Sequence, residues 1–415
     1  MHKRSNAPLI AALCAVSMMG MGSLALSSGL AYIQQEFPDI GTVWIQLLVT
    51  GPVILQIPTG LLASWLSTKF SKRSLILFSI LLYIFCGVVP FFLRSFWPIL
   101  VLRILYGAAV GLGPTVAGSV TFQVFLEENE RSRVVGLTGA FAMMGGTYST
   151  LVGGLLSEIG WQYCFLSYLI GVPILILAAV YLPQNLGSVS AAPSAAPVQT
   201  KAVYRIRPEV YWLSFLFLIY FTCYFAYTNN ISAFVLNSGL GGSSESGLSY
   251  TIVNLSGFVG GLTFYYVRKW LRYWTLPFSV AVTGLGFFVI ASAHSLTAVF
   301  LGSFLHGIAI GWYTPNNSIL YGEIMEPEAM TFTLGVTGAI GNIGQIVSTL
   351  IFAWLTGALR LSTERSVIML AVYGYAALTL ICAVYITLRL RKMRRSAISR
   401  PRSASALRPK TRFIW

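Results

Sequence analysis

The sequence predicts an all-α membrane protein of twelve transmembrane helices, arranged as two six-helix bundles in a pseudo-twofold repeat. Three observations carry that expectation. Hydrophobic residues make up 56% of the 415-residue chain and charged residues only 9%, where a soluble domain carries roughly a quarter charged. Apolar runs recur along the chain, each near the ~20 residues that a ~30 Å hydrocarbon core demands of a helix. Two blocks of sequence in the first half return in the second.

Taken in order, the spans are 8–32, 43–66, 74–93, 97–122, 134–157, 163–183, 210–235, 248–267, 275–293, 297–320, 333–357 and 367–388. The runs are continuous instead of alternating, which reads as helices and not barrel strands. The first run is too long for a signal peptide and further spans follow it, so an uncleaved first helix is expected. Between spans six and seven, "QNLGSVSAAPSAAPVQTKAVYRIR" is rich in Ala, Pro and Ser and reads as a linker. The expected organisation is a first bundle over 1–186, a linker over 187–207, a second bundle over 208–392 and a basic tail over 393–415.

The net charge of +15 follows topology and not nucleic acid. With the N-terminus inside, the inner segments hold Lys3, Arg4, Lys69, Lys72, Arg73, Arg131, Arg133, Lys201, Arg205, Arg207, Arg268, Lys269, Arg272 and the ten basic residues after position 388. The outer loops hold Arg94, Arg360 and Arg365. This asymmetry places both termini in the cytoplasm by the positive-inside rule. The tail reads as a solvated flank, with attraction to anionic lipid as the alternative. Five cysteines, scattered through the spans, read as small packing residues and not as a disulfide framework.

The repeat is explicit. "LYGAAVGLGPT" from Leu105 matches "LHGIAIGWYTP" from Leu305, and "GLTGAFAMMGGTYSTL" from Gly136 matches "GVTGAIGNIGQIVSTL" from Gly335. Six spans return the chain to the same side, so the two units run in parallel. Glycines at helical spacing, Gly107 with Gly111 and Gly307 with Gly311, let helix backbones approach closely.

Arg103 is the one basic residue left inside a span. It lies about 9 Å below the outer end of span four, at 1.5 Å per residue. A charge at that depth is costly and is usually paired or functional. Three roles stay open: contact with a substrate, snorkelling to the outer headgroups, or a tie to carbonyls at span ends. Neutral polar and aromatic stripes mark the second half. They are Tyr220, Tyr224 and Tyr227 on span seven, His306, Tyr313 and Asn317 on span ten, and Asn342 with Gln345 on span eleven. Each can simply tie helices together. Together with Arg103 and Tyr106 they form the expected substrate-binding set, which suits flat or amphipathic organic molecules. His306 and Glu323 are the candidates for carrying a coupling proton, because imidazole changes charge near neutral pH and Glu323 is the carboxylate nearest to a span interior.

No Gly-x-x-x-x-Gly-Lys-Ser/Thr loop, carboxylate pair or His/Cys cluster is present, so no enzyme, cofactor or metal site is expected.

Local motifs add a resemblance. "SWLSTKFSKR", Ser64 to Arg73, resembles the Gly-x-Leu-Ala-Asp-Arg-x-Gly-Arg-Lys loop of the major facilitator superfamily, with Thr68 in place of the aspartate. "RILYG" from Arg103 resembles that family's Arg-x-x-Gln-Gly in span four, and Gly153-Gly154 matches half of an antiporter motif in span five. The loop and span pattern of "EENERSRVVG" and "SEIGWQYCFLSYL" is similar to bacterial members. The resemblance implies the superfamily's fold, a gating loop at Thr68, Lys69, Lys72 and Arg73, and alternating access to a site between spans one, four, seven and ten. The expected protein is a monomeric secondary transporter of a bacterial plasma membrane. Its expected activity is proton-coupled efflux of a drug-like or metabolic small molecule. The alternatives are exchange or uptake of a small organic anion with Arg103 as countercharge, and a non-transporting receptor or structural protein.

Overall fold

A computed structural model describes residues 6–26, 30–184, 207–359 and 364–398, which fold into helices joined by short turns. The residues from 185 to 206, which include most of the expected linker, and the tail from 399 onward lie outside the described residues.

Span one is the helix Ala7–Ser17 continued by a tighter 3-10 segment, Met18–Leu26. The sequence suggests one run to residue 32, but the helix bends at Met21, where φ is −112° and ψ 17°. Gly20 and Gly22 flank the bend, and glycine weakens a helix interior. Span two comes in two pieces, Thr42–Thr50 and Val53–Lys69. Pro52 has no N–H to give the carbonyl four residues back, so the helix breaks there.

The helices at the other expected spans, three to twelve, are Lys72–Val88, Phe96–Val124, Glu128–Ile159, Trp161–Ile170 with Gly171–Tyr181, Pro208–Asn237, Ser243–Leu271, Thr275–Ala291, Leu296–Ile324, Met330–Ala358 and Glu364–Ile398. Ser71 caps span three by accepting the Ser74 N–H at 3.1 Å. Glu245 accepts the Gly242 N–H at 2.7 Å at the start of span eight. Ten helical stretches among the described residues are long and apolar enough to cross a membrane, one of them the 47-residue run Glu245–Ala291 that contains spans eight and nine.

Helix pairings repeat after a shift of six spans. In the first half, spans 1·5, 1·6, 2·4, 3·4 and 3·6 pack together; in the second, 7·11, 7·12, 8·10, 9·10 and 9·12 do. Each half encloses its own hydrophobic core. The halves meet where span two crosses eleven and span five crosses eight, with spans four and ten alongside. Both crossings are glycine on glycine. A Cβ on Gly335 would overlap the Gly60 carbonyl, and one on Gly136 would come within 2.8 Å of the Gly261 carbonyl. The glycine pairs at 107 and 111 and at 307 and 311 instead pack spans four and ten onto spans two and eight of their own half. All five cysteines are buried and free, as packing residues would be.

Candidate functional site

The face of the molecule that carries the basic loops holds the polar contacts seen between halves. Lys72, at the first turn of span three, is only 5% exposed. Its Nζ donates to Ser119 Oγ of span four at 2.8 Å and reaches Thr331 Oγ1 of span eleven, in the other half, at 3.3 Å. Gln123 donates to the Pro327 carbonyl at 3.3 Å nearby. At the second crossing Arg268 of span eight bonds Glu128 of span five at 3.2 Å, Glu323 of span ten at 2.6 Å and the Asn316 side-chain oxygen at 2.7 Å. Arg389 holds the other Glu323 oxygen at 3.0 Å.

Burial ranks these bonds. Arg268 and Glu323 are 5% and 15% exposed, and stripping one partner from such a pair costs about 3–5 kcal/mol. Glu128 is 63% exposed, so its bond to Arg268 contributes less than about 1 kcal/mol. The strong ion pairs therefore lie within the second half. The one that joins the halves is weak enough to open.

In the rest of the expected gating loop, the exposed Thr68 turns its hydroxyl back to the Trp65 carbonyl at 2.7 Å. Lys69 is exposed, and Arg73 donates to the Ala179 carbonyl at 2.6 Å. Glu323, considered from sequence as a proton carrier, is held by two arginines.

Arg103 and Tyr106 lie inside the first half, both wholly buried. Arg103 Nε donates to the Leu48 carbonyl at 2.8 Å and Nη1 to Tyr168 Oη at 2.8 Å. Tyr168 passes a hydrogen bond on to the Gly22 carbonyl at 2.9 Å. The guanidinium carbon sits 4.4 Å from the Tyr106 ring centre and 5.4 Å from that of Tyr168. A cation held against aromatic faces away from water gains about 2 kcal/mol. Among the described residues no carboxylate pairs with it.

The second half has the counterpart. His306 is wholly buried among Tyr224, Tyr227 and Phe287, with ring centres at 5.1, 5.2 and 5.0 Å. Neither ring nitrogen has a partner among the described residues. Tyr227 shares a hydrogen bond with Ser303 at 3.0 Å, and Tyr220 with Thr283 at 3.0 Å. The Tyr220 and Tyr313 rings stack 3.6 Å apart at 11°. Tyr220, Tyr227, Tyr313 and Asn317 are all buried, whereas Tyr224, Asn342 and Gln345 are half-buried. The structure thus brings His306 together with Tyr224 and Tyr227, and Tyr220 with Tyr313. It holds Arg103 and Tyr106 apart from both, in the other core.

Sequence reasoning missed Tyr168 and the Arg268 network.

The sequence profile described as Major Facilitator Superfamily matches residues 10–274. The chain belongs to this superfamily. Its members are transporters and not enzymes, and the multi-pass helical architecture agrees. Quinidine resistance protein 1 of Saccharomyces cerevisiae is 33% identical over 129 residues, 29% of this chain and 22% of that protein. Inositol transporter 4 of Arabidopsis thaliana is 23% identical over 176 residues, 40% of this chain and 29% of that protein. The matches thus span less than a third of either relative. The solved structure of a human organic anion transporter superposes with a TM-score of 0.71 at 12% identity, covering 92% of this chain and 100% of that one. At that identity the likeness is one of fold.

Proposed function

We propose that this superfamily member exports a small, flat or amphipathic organic molecule by alternating access, driven by a proton gradient. The observation that carries the reading is the pair of matched crossings. Each brings two helices from different halves together through glycine, and each is bridged by bonds that can break without unfolding either core. Rocking about these crossings opens one face as it closes the other. By the charge asymmetry the basic face is cytoplasmic, so the state described is closed toward the cytoplasm.

An aromatic and amide surface on spans seven and eleven, with Tyr224, Asn342 and Gln345 half-buried, supports the substrate class. The drug-resistance name of one relative agrees with it. For coupling, His306 is the stronger of the two candidates. Its ring nitrogens have no partner among the described residues, whereas Glu323 is shared by Arg268 and Arg389. The protein works within a cell membrane with its basic tail inside, as a monomer with one substrate path.

The test has two stages. A thermal-shift screen of the purified protein against drug and metabolite libraries finds a ligand. Proteoliposomes then show whether a pH gradient concentrates it. His306→Gln is expected to keep exchange and lose accumulation. Accumulation at the wild-type level in that variant rejects His306 as the proton carrier.

A further inference from the structure

Two positions differ between the repeats in a correlated way. Pro52 and Val253 are equivalent, because the backbone of each lies against the equivalent glycine of the next helix, Gly107 or Gly307. Arg103 and Ser303 are equivalent by the alignment of "LYG" with "LHG". The first half therefore pairs proline with arginine, and the second pairs valine with serine.

Main-chain chemistry explains the pairing. In the second half the helix Ser243–Leu271 runs unbroken, and Val253 has an N–H to offer the carbonyl four residues back. In the first half Pro52 has none, and the carbonyl of the buried Leu48, four residues back, is left without its main-chain donor. Arg103 Nε occupies that vacancy at 2.8 Å. A neutral side chain with one short reach, such as serine, would not span from span four to span two. Arginine carries several donors on a long stem, and it uses another of them on Tyr168. Tyr168 in turn donates to the carbonyl of Gly22, one residue past the non-helical Met21 where span one bends.

We propose that Arg103 supplies the main-chain hydrogen bond that Pro52 leaves missing in span two, and that Tyr168 ties this clamp to the Gly22 carbonyl beside the bend of span one. The clamp joins the segments beyond both bends to span four, so that they turn as one piece. Arg103 is a positioning residue in this assignment. Its charge is present because guanidinium offers enough fixed donors, and the faces of Tyr106 and Tyr168 hold that charge in place of a carboxylate.

The second half retains the part that needs no arginine. Tyr375 of span twelve donates to the Tyr220 carbonyl of span seven at 3.2 Å, matching Tyr168 and Gly22. Where no helix is broken by proline, Ser303 is free to bond Tyr227 instead.

The test transplants the second half's pair into the first, with hydrogen–deuterium exchange of residues 42–52 as readout in full-length detergent-solubilised protein. Arg103→Ser alone is expected to speed exchange there about tenfold or more, as the Thr42–Thr50 helix frays. Pro52→Val with Arg103→Ser returns an N–H to the Leu48 carbonyl and is expected to bring exchange back within about threefold of wild type. If Arg103→Ser does not fold, recovery of folded protein in the double variant supports the clamp equally. Unchanged exchange in Arg103→Ser overturns it. So does a double variant that remains as loose, or as unfolded, as the single one while Pro52→Val alone folds.

Discussion

The two crossings on the basic face close equivalent gaps with different chemistry. At the crossing of spans two and eleven a lysine reaches hydroxyls, Ser119 in its own half and Thr331 in the other. At the crossing of spans five and eight an arginine joins three side chains, two of them carboxylates. The difference lies in where the counter-charges sit. Lys72 has none among its hydrogen-bond partners, so its hold on the other half is a charge-assisted hydrogen bond to a neutral group. Arg268 is anchored by Glu323 within its own half and only touches Glu128 across the gap. One crossing joins the halves through its principal buried cation; the other organises one half and reaches lightly to its neighbour. The proposed cycle breaks both bonds, and neither is the strongest polar contact in its region.

The comparison predicts a ranking. Arg268→Ala has the largest effect, because it leaves the 15%-exposed Glu323 with Arg389 alone. A loss of about 3–5 kcal/mol is expected, read as a fall in the thermal midpoint of the purified protein. Arg268→Met with Glu323→Gln and Arg389→Met removes all three charges together, stranding none of them, and is expected to recover a good part of that loss. If the single and triple variants melt together, the pair is not the anchor it is taken to be.

Lys72→Met comes next. It takes away a charged donor from Ser119 and Thr331, and hydrogen bonds to charged groups contribute about 1.5–3 kcal/mol each. Part of that cost falls on the bond between halves, so the open population at this face should rise. A cysteine at Leu334, which packs over Gly118 of the fourth span, reports it. Labelling by a thiol reagent should quicken about tenfold for each 1.4 kcal/mol lost from the closed state. Lys72→Arg should stay near wild type. Equal labelling in Lys72→Met and wild type would show that glycine packing alone holds this crossing.

How much of this was legible beforehand depends on the kind of partner. Spans and repeat were readable because hydropathy and a duplicated block are properties of the chain itself. The polar stripes were readable too, though helical spacing could not say which face turned inward, and the structure buries Tyr220, Tyr227 and Tyr313 within one core. Arg103 stood out as a charge in an apolar run, but its main acceptor is a backbone carbonyl, and a carbonyl has no letter. Only Pro52, four residues past Leu48, marks it. The Arg268 network needed spans eight, ten and twelve brought together and span five laid beside them, which no local pattern contains.

Glu128→Gln has the smallest expected effect and separates the two crossings most cleanly. It removes the carboxylate that reaches across the gap while leaving Arg268 with Glu323 and Asn316. With Glu128 63% exposed, the ion pair is screened by water and salt and contributes less than about 1 kcal/mol. The thermal midpoint should therefore hardly move, in contrast to Arg268→Ala. Labelling of the Leu334 cysteine should quicken by no more than about fivefold, the population change that so small an energy allows. The residual difference from wild type should vanish as ionic strength rises toward 1 M, where the screening length falls to about 3 Å. The Lys72→Met difference should persist, since its partners are neutral and its nitrogen is buried. A Glu128→Gln effect as large as that of Lys72→Met, or one that ignores salt, would place a load-carrying ion pair between the halves and erase the distinction between the crossings.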